Sequence, residues 1–384
     1  MKKYFFLSVF ALSSLLLTGQ ELQNFRPQQV VSPEIANGKV TFRISAPQAY
    51  QVRLYGSWMA SFTDTAPLAR DTGGIWSVTI NAPEPEIYTY NFIVDGVSVS
   101  DGANIFMQRD GRRFLSILLI DGPLTANYRE ANKRGNIDHV WYNSPTIGTT
   151  RRMFVYTPHG YANSRQRYPV LYLLHGGGGD EDAWSNMGRA CQILDNLIEQ
   201  GKAVPMIVVM PNGNPGQQAA QTLLLPEKTF DRNDPAFANL YINSIVKDIV
   251  PYIEKNYRVI ANPNNRAIAG LSMGGGHTMT TANAYPGFFS YILPLSSGIR
   301  IGDGSGGLSQ SQDFDEGLQA IKKAGYKLYW IACGSDDTAY EHAKNVVALL
   351  DRYGLEYTFH VTTGGHTWSN WRIYLNTFAP LLFK

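Results

Sequence analysis

Residues 266–277 carry the residue types of a nucleophilic serine site. Gly270, Ser272 and Gly274 form a Gly-x-Ser-x-Gly pattern between an apolar run and a stretch of small residues where a helix could begin. Glycines at these places permit the tight turn and strained backbone that hold a serine hydroxyl exposed at a helix N-terminus. The N–H of Met273 would then point at a negative oxygen developing on a substrate. The pattern predicts Ser272 as a nucleophile and Met273 as an oxyanion donor, and the alternative is a glycine-rich turn that contains a serine by chance.

A serine nucleophile needs a base, and the base needs an acid that orients it. In α/β hydrolases the acid and the histidine follow the serine in that order, each on a loop after a strand. Asp336 and Asp337 follow the apolar run 328–333, and His366 lies in a glycine-flanked loop after the run 357–361. We predict His366 as the base and Asp337 as its acid, with Asp336 as the second choice, because either aspartate could instead cap the helix that follows.

His175 and four glycines at 176–179 follow another apolar run, where such enzymes place their second oxyanion donor. Because glycine lets the backbone approach a substrate closely, Gly177 is the predicted donor that acts with Met273. A phosphate-binding loop is the rival interpretation. The Gly-Lys-Ser/Thr ending of such loops is absent, however, and the acidic residues 180–182 would repel phosphate.

Pocket-lining residues are harder to find in a linear sequence. The predicted substrate contacts are His175, which is expected above all to shape the oxyanion loop, Trp184 and Trp368. Trp371 is a further candidate for the lining, although Trp368 and Trp371 could equally belong to the core. The polar segment 217–234 is a candidate substrate loop or lid. No spacing of cysteine and histidine suits a metal, so neither a metal nor an organic cofactor is expected.

Two domains are expected to position these residues. Residues 25–121 contain short runs that alternate between apolar and polar residues, with Asp-Gly turn signals, as the strands of a β-sandwich do. Residues 122–135 are polar and aperiodic and are the predicted linker. From 136 to 384, continuous apolar runs alternate with helical patterns, which indicates an α/β fold with a doubly wound, mostly parallel sheet.

Composition narrows the classes of function. The chain has 384 residues and a net charge of +2 without a basic block, so nucleic acid is not an expected partner. Two lysines followed by an apolar run predict a signal peptide over residues 1–20, hence a secreted or periplasmic protein with no membrane span in the mature chain. Cys191 and Cys333 lie in apolar-periodic segments and are expected to be buried thiols.

Five motifs in the second domain together resemble carbohydrate esterase family 1, the esterase-D-like hydrolases. In the order of that family, they occupy residues 173–179, 210–213, 270–275, 333–337 and 365–368. The first domain resembles the immunoglobulin-like module at the N-terminus of glycogen branching enzymes, through residues 42–47, 56–58, 76, 88–96 and 101–104. The expected fold is therefore an immunoglobulin-like sandwich followed by an α/β-hydrolase domain.

The family includes feruloyl and acetylxylan esterases, and the resemblance implies an acyl-enzyme mechanism without a cofactor. The implied substrate is a feruloyl ester on an acylated plant cell-wall polysaccharide or oligosaccharide. Alternatives are an acetylxylan esterase, a siderophore-ester hydrolase and a non-catalytic glycan-binding protein on a hydrolase scaffold. The chain departs from the family's pattern at Gly177, where family members often carry a larger apolar residue. A glycine in place of that residue would loosen the acyl pocket.

Overall fold

The computed structural model describes residues 30–61, 63–110, 113–215, 235–300 and 310–384. The predicted signal peptide, residues 1–20, and the predicted substrate loop, residues 217–234, lie outside the described residues. In the described ranges no helix is long and apolar enough to cross a membrane. Cys191 and Cys333 are both free thiols, Cys333 buried and Cys191 partly so.

The first domain is a sandwich of two antiparallel sheets, as predicted. One sheet has the order β1-β2-β6-β5, and the other has the order β4-β3-β7-β10-β9 with β8 paired to β7. The strands are β1 (Glu34–Ala36), β2 (Lys39–Ser45), β3 (Val52–Gly56), β4 (Ala66–Pro67), β5 (Ala69–Arg70), β6 (Ile75–Asn81), β7 (Ile87–Val94), β8 (Val97–Val99), β9 (Met107–Asp110) and β10 (Arg113–Leu119).

Alternating side chains of these strands form the sandwich core. Phe42, Leu54 and Tyr90 are buried between the sheets, and the Trp76 indole donates to the Ala46 carbonyl at 2.9 Å. The predicted Asp95-Gly96 turn joins β7 to β8 with positive φ at both residues (48° and 88°), as a tight hairpin requires. The period-two pattern of the sequence therefore identified this domain correctly.

The second domain is built on an eight-stranded sheet of order β11-β12-β14-β13-β15-β16-β17-β18. The pairs β11–β12 and β12–β14 are antiparallel, and the remaining neighbours are parallel. The strands are β11 (Asn136–Ser144), β12 (Thr149–Thr157), β13 (Val170–Leu174), β14 (Ile207–Pro211), β15 (Arg266–Leu271), β16 (Tyr291–Leu295), β17 (Leu328–Gly334) and β18 (Thr358–Thr362).

Helices cover both faces of this sheet, so the central strands are buried on both sides and read as continuous apolar runs. Side chains of α2 and α8 pack on one face, and those of α4, α5, α6 and α7 pack on the other. The helices are α1 (Ala183–Asn186), α2 (Ala190–Glu199), α3 (Pro235–Ser244), α4 (Val250–Asn256), α5 (Met273–Ala284), α6 (Gln312–Ala324), α7 (Tyr340–Tyr353) and α8 (Trp368–Phe378), with a π-helical turn (Ile245–Ile249) between α3 and α4.

The segment 122–135, predicted as a linker, is a packed part of the structure. Pro123–Tyr128 forms a 3₁₀ helix, and Tyr128 is buried in the core of the second domain. Asn127 donates from its amide nitrogen to the Asn376 side-chain oxygen in α8 at 2.7 Å. The polar composition indicated a linker, but these side chains make contacts between distant parts of the chain.

The two domains share a buried polar contact centred on Arg372 of α8. Its guanidinium donates to the Glu86 carboxylate at 3.0 Å and to the carbonyls of Ile87 and Met187 at 2.8 and 2.7 Å. Burial raises the pKa of Glu86, and the nearby Arg372 offsets part of that effect. Removing either partner would leave a buried charge without its counter-charge, so this contact locks the sandwich against the second domain.

Candidate active site

Ser272 lies on a strained turn between β15 and α5. Its backbone has φ 53° and ψ −117°, and the helix begins at the next residue, Met273. A Cβ atom on Gly270 would lie 2.3 Å from the Gly274 carbonyl oxygen, and one on Gly274 would lie 2.5 Å from the His175 oxygen. Only glycine fits both places. Backbone strain of a non-glycine residue in such a conformation costs about 1–3 kcal/mol. Surrounding contacts must offset this strain, such as the hydrogen bond from the Ser272 N–H to the Leu295 carbonyl at 2.8 Å.

His366 and Asp337 come together at the same edge of the sheet. The His366 Nδ1 atom lies 2.8 Å from the Asp337 Oδ1 atom, and the Asp337 side chain is completely buried while that of His366 is 32% exposed. Burial by itself raises the pKa of a carboxyl group, but hydrogen bonds from His366 and from the Ala339 N–H outweigh it, so the pKa of Asp337 is lowered. Asp337 is therefore an ionised acceptor that holds the His366 ring in one orientation.

The neighbouring Asp336 has a different position. Its Oδ2 atom accepts from the Gly364 N–H at 3.2 Å, and its own N–H donates to the Gly364 carbonyl at 3.1 Å. Asp336 thus ties the loop after β17 to the loop after β18, and the carboxylate on His366 is that of Asp337.

A second layer of side chains packs behind His366. The Trp371 ring meets the His366 ring edge to face, with centroids 5.1 Å apart, and its indole nitrogen donates to the buried Ser296 hydroxyl at 2.9 Å. Ser296 follows β16 with φ 44°. Sequence reasoning did not identify Ser296, whose position directly after a buried strand was the available signal.

The glycine-rich turn 176–179 follows β13, closed by a hydrogen bond from the Gly179 N–H to the Gly176 carbonyl at 3.2 Å. Gly176 packs against the turn of Ser272, since a Cβ there would lie 3.2 Å from the Ser272 Cβ. Gly177 is exposed, and no atom lies within 4 Å of where its Cβ would stand. Space for the larger apolar residue expected at this position is therefore present beside the cavity.

His175, predicted among the substrate contacts, lies behind this turn and is 2% exposed. Its Nδ1 atom is 2.7 Å from the Gly176 carbonyl, and its Nε2 atom accepts from the Gly213 N–H at 2.7 Å. Burial lowers the pKa of His175, which keeps the ring neutral as this pairing requires. With both ring nitrogens bonded to the backbone, His175 connects the loops after β13 and β14 and does not face the substrate.

Two cavities meet at Ser272 and His366. The smaller, of about 240 Å³, also contacts Met187, Trp368 and Trp371. The larger, of about 760 Å³, has a lining that includes the polar side chains of Thr280, Ser297, Arg300 and His342. An acyl group and an alcohol group of one ester could therefore occupy different cavities on either side of the serine.

The two predicted tryptophans have different positions. Trp368 lines the smaller cavity. Trp184 is only 1% exposed, donates from its indole nitrogen to the Leu174 carbonyl at 2.9 Å, and touches Trp368 edge to face at 5.3 Å. The predicted substrate contact of Trp184 is therefore wrong. Its ring lies in the core behind Trp368 and supports that residue from the side away from the cavity.

Two further residues of the smaller cavity come from the sandwich. Arg109 and Asp110, at the end of β9, line it together with Ser272. Sequence reasoning missed them because no motif in a β-sandwich reports how it docks on another domain. Within the described ranges no group of three or more His, Cys, Asp or Glu side chains could hold a metal ion.

Family models match both domains. A model described as a putative esterase matches residues 144–381, more than half of the chain. A model described as carbohydrate-binding module 48, the isoamylase N-terminal domain, matches residues 29–107.

Curated relatives combine esterase and xylanase names. An endo-1,4-beta-xylanase/feruloyl esterase of Xylanibacter ruminicola is 31% identical over 326 residues, which are 80% of this chain and 43% of that protein. Endo-1,4-beta-xylanase Y of Acetivibrio thermocellus is 27% identical over 263 residues, 62% of this chain and 22% of that protein. The chain thus spans less than half the length of either relative.

Solved structures agree on the fold. The ferulic acid esterase AmCE1/Fae1A of Anaeromyces mucronatus is 25% identical with a TM-score of 0.55, covering 66% of this chain and 93% of that one. The enterobactin esterase of Shigella flexneri, 16% identical with a TM-score of 0.65, shares the fold over 90% of this chain and 92% of its own. With a strained serine, a histidine on a buried carboxylate and this family match, the chain belongs to the esterase family as a carboxylic ester hydrolase with an N-terminal module of the carbohydrate-binding 48 type.

Proposed function

We propose that the protein is an exported serine esterase that hydrolyses feruloyl esters on plant cell-wall xylan. The observation that carries the mechanism is the 2.8 Å contact between Asp337 and His366 beside the strained Ser272. Nucleophile, acid and base then follow one another along the chain in the order of the α/β hydrolases, each after a parallel strand.

In this mechanism the Nε2 atom of His366 takes the proton of the Ser272 hydroxyl while the serine oxygen attacks the ester carbonyl carbon. Asp337 stabilises the imidazolium that forms, and the N–H groups of Met273 and Gly177 hold the carbonyl oxygen as it becomes negative. The proton passes from His366 to the departing sugar oxygen, leaving an acyl-enzyme. Water, deprotonated by His366, then attacks the acyl carbon, and the proton returns to Ser272 as the carboxylic acid is released. All the groups needed belong to the chain.

The cavity linings support an aromatic acid on a sugar alcohol. A hydroxycinnamoyl group is flat and apolar, and the smaller cavity offers it the rings of Trp368 and Trp371 and the side chain of Met187. The larger cavity offers hydroxyl, guanidinium and imidazole groups, which suit the hydroxyls of a sugar chain. We therefore assign the acyl group to the smaller cavity and the alcohol to the larger one.

Two further observations support the substrate and the location. The relatives that match most of the chain are named for xylanase and feruloyl esterase activity, so xylan is the proposed polysaccharide. The lysines and apolar run at the start of the chain support export, which would bring the enzyme to a polymer that cells do not take up whole.

The test is release of free acids from wheat arabinoxylan and acetylated xylan, with ferulate and acetate measured together. Ser272→Ala should abolish ferulate release, by at least about 10⁴-fold, because the nucleophile is lost. Ser164→Ala is the matched control, since this serine lies on the loop before β13, at the opposite edge of the sheet.

The outcomes separate the alternatives. Acetate release alone would identify an acetylxylan esterase. Hydrolysis of a catecholate trilactone, without release of either acid, would identify a siderophore-ester hydrolase, the class whose solved structure shares the fold of both domains. Binding of xylan oligosaccharides without hydrolysis of any ester would identify a glycan-binding protein and overturn the proposal.

A further inference from the structure

The end of strand β9 of the sandwich reaches the cavity that contains Ser272. Arg109 and Asp110 line this cavity with Gly176, Gly177 and Ser272, although they belong to the other domain. An appended domain on a loose tether would not present side chains at the reacting serine. The contacts of Arg109 show how the sandwich acts on the second domain at this place.

Arg109 forms a buried ion pair with Asp180 of the second domain. Its Nη2 atom lies 2.6 and 2.7 Å from the two carboxylate oxygens of Asp180, and 3.4 Å from Asp182 Oδ2. The side chains of Arg109 and Asp180 are only 7% and 4% exposed. Breaking one half of so buried a pair leaves a charge without solvation, so the pair strongly constrains both backbones.

Asp180 is the residue directly after the glycine-rich turn 176–179. Its Oδ1 atom also accepts from the Asp182 N–H at 3.0 Å, and its carbonyl accepts from the Ala183 N–H at 3.1 Å where α1 begins. Glycines have no side chains to pack, so the position of the turn depends on the residues at its two ends. His175 holds one end, and Asp180 holds the other.

The next residue, Glu181, is anchored from within the second domain. Its carboxylate accepts from Arg152 at 2.7 Å and from the Asn212 amide at 3.0 Å. Two adjacent carboxylates after the turn are therefore fixed by arginines from two different domains. The Asp180 anchor is the one that depends on the sandwich.

We propose that Arg109 is a positioning residue for ester hydrolysis, which fixes the turn 176–179 through Asp180 so that the Gly177 N–H faces the developing oxyanion. The sandwich is then part of the catalytic apparatus. This inference rests on the proposed roles of Ser272 and Gly177. Because the Arg109 guanidinium is paired with Asp180 and Asp182, we assign its effect to the turn.

The test uses 4-nitrophenyl acetate, an ester too small to need contacts with the sandwich. Arg109→Met should lower kcat about tenfold or more with KM changed by less than about threefold, since a misplaced oxyanion donor weakens transition-state stabilisation alone. Asp180→Asn should give a similar loss, and the double variant should lose little more than either single one. Arg109→Lys, which keeps the charge, should recover part of the activity.

Arg43→Met is the matched control, because Arg43 pairs with Glu34 in the sandwich and lines neither cavity. A second readout is inhibition by an arylboronic acid, whose tetrahedral adduct on the serine places an oxygen where the oxyanion forms. Its inhibition constant should rise by about the factor by which kcat falls. A purely structural role would reduce the number of titratable serines and leave kcat per reactive serine and the boronate affinity unchanged.

Three outcomes are decisive. Wild-type kcat per reactive serine in folded Arg109→Met overturns the inference and leaves the proposed function intact. Full turnover of 4-nitrophenyl acetate by Ser272→Ala overturns the proposed mechanism itself. A fall in kcat matched by weaker boronate inhibition supports the role of Arg109.

Discussion

Two loops, each carrying a histidine, flank Ser272 and use that histidine in opposite ways. In the loop after β18, His366 has a buried carboxylate on Nδ1 and lines both cavities. In the loop after β13, His175 is buried, with both ring nitrogens paired to backbone groups. A carboxylate partner and access to a cavity suit proton transfer, whereas two backbone partners suit a rigid connector. The residue type alone does not distinguish these roles.

The largest effect is expected when the base that accepts the Ser272 proton is removed. His366→Gln should reduce kcat for feruloyl ester hydrolysis about 10⁴- to 10⁶-fold, because no base remains to activate Ser272. The melting temperature should change little, since the His366 side chain is partly exposed. Stopped assays of ferulate release and thermal unfolding measure the two quantities. Activity within tenfold of wild type would remove His366 from the mechanism.

A smaller loss is expected when only the orienting acid changes. Asp337→Asn should lower kcat about 10⁴-fold, since the amide cannot stabilise an imidazolium and favours the wrong ring tautomer. Asp336→Asn is the matched control and should change kcat by less than about tenfold, because its contacts are with the backbone of Gly364. Equal losses in the two variants would contradict the assignment of Asp337 as the acid.

Changing the connector histidine should affect stability more than chemistry. His175→Gln leaves the Gly213 N–H or the Gly176 carbonyl without its partner, which should lower the free energy of unfolding by about 1–3 kcal/mol. The fall in kcat should stay below the roughly 10²–10³-fold that loss of an oxyanion donor causes. Urea unfolding is the measurement, with the exposed His159→Gln as control. An unchanged unfolding midpoint would show that His175 does not hold the loops.

The last effect is seen only at acid pH and concerns a third histidine, His277 of α5, which lines the larger cavity. Burial lowers the pKa of His277 to about 4. Between about pH 6.5 and 4 the unfolded chain therefore binds the proton more readily, so stability is full above this range and falls by up to about 3 kcal/mol as the pH drops through it. In His277→Gln this part of the pH dependence should disappear. The free energy of unfolding is measured in urea at several pH values between about 4 and 6.5. The same dependence on pH in the wild type and in His277→Gln would contradict this assignment.

Local sequence was sufficient to predict that the three proposed catalytic residues lie together, because each of them follows its own buried strand. Parallel strands place the loops that follow them at one edge of the sheet, so Ser272, His366 and one of the two aspartates 336 and 337 were predictable as neighbours from order and spacing. The strands and the helix α2 were predictable for a related reason, since burial on one or two faces leaves a periodic pattern.

The remaining parts depend on contacts that no local pattern encodes. The polar composition of the packed segment 122–135 predicts a linker. Its polar side chains in fact bond to residues far along the chain, such as Asn376, which no local pattern shows. Trp184 reads as a pocket residue because tryptophans supporting a pocket and tryptophans lining one look alike in sequence. Arg109 reads as an ordinary strand residue, and its role depends on a carboxylate that lies 71 positions later.

The buried pair of Glu86 and Arg372 has a consequence for how the chain is made. The sandwich is synthesised before the second domain, but the arginine that neutralises Glu86 lies 286 residues later, in α8. Domains usually fold as they emerge, N-terminal first. The contact between the sandwich and the second domain therefore stays incomplete until α8 has been synthesised, and a chain terminated before α8 leaves the Glu86 carboxylate without its counter-charge.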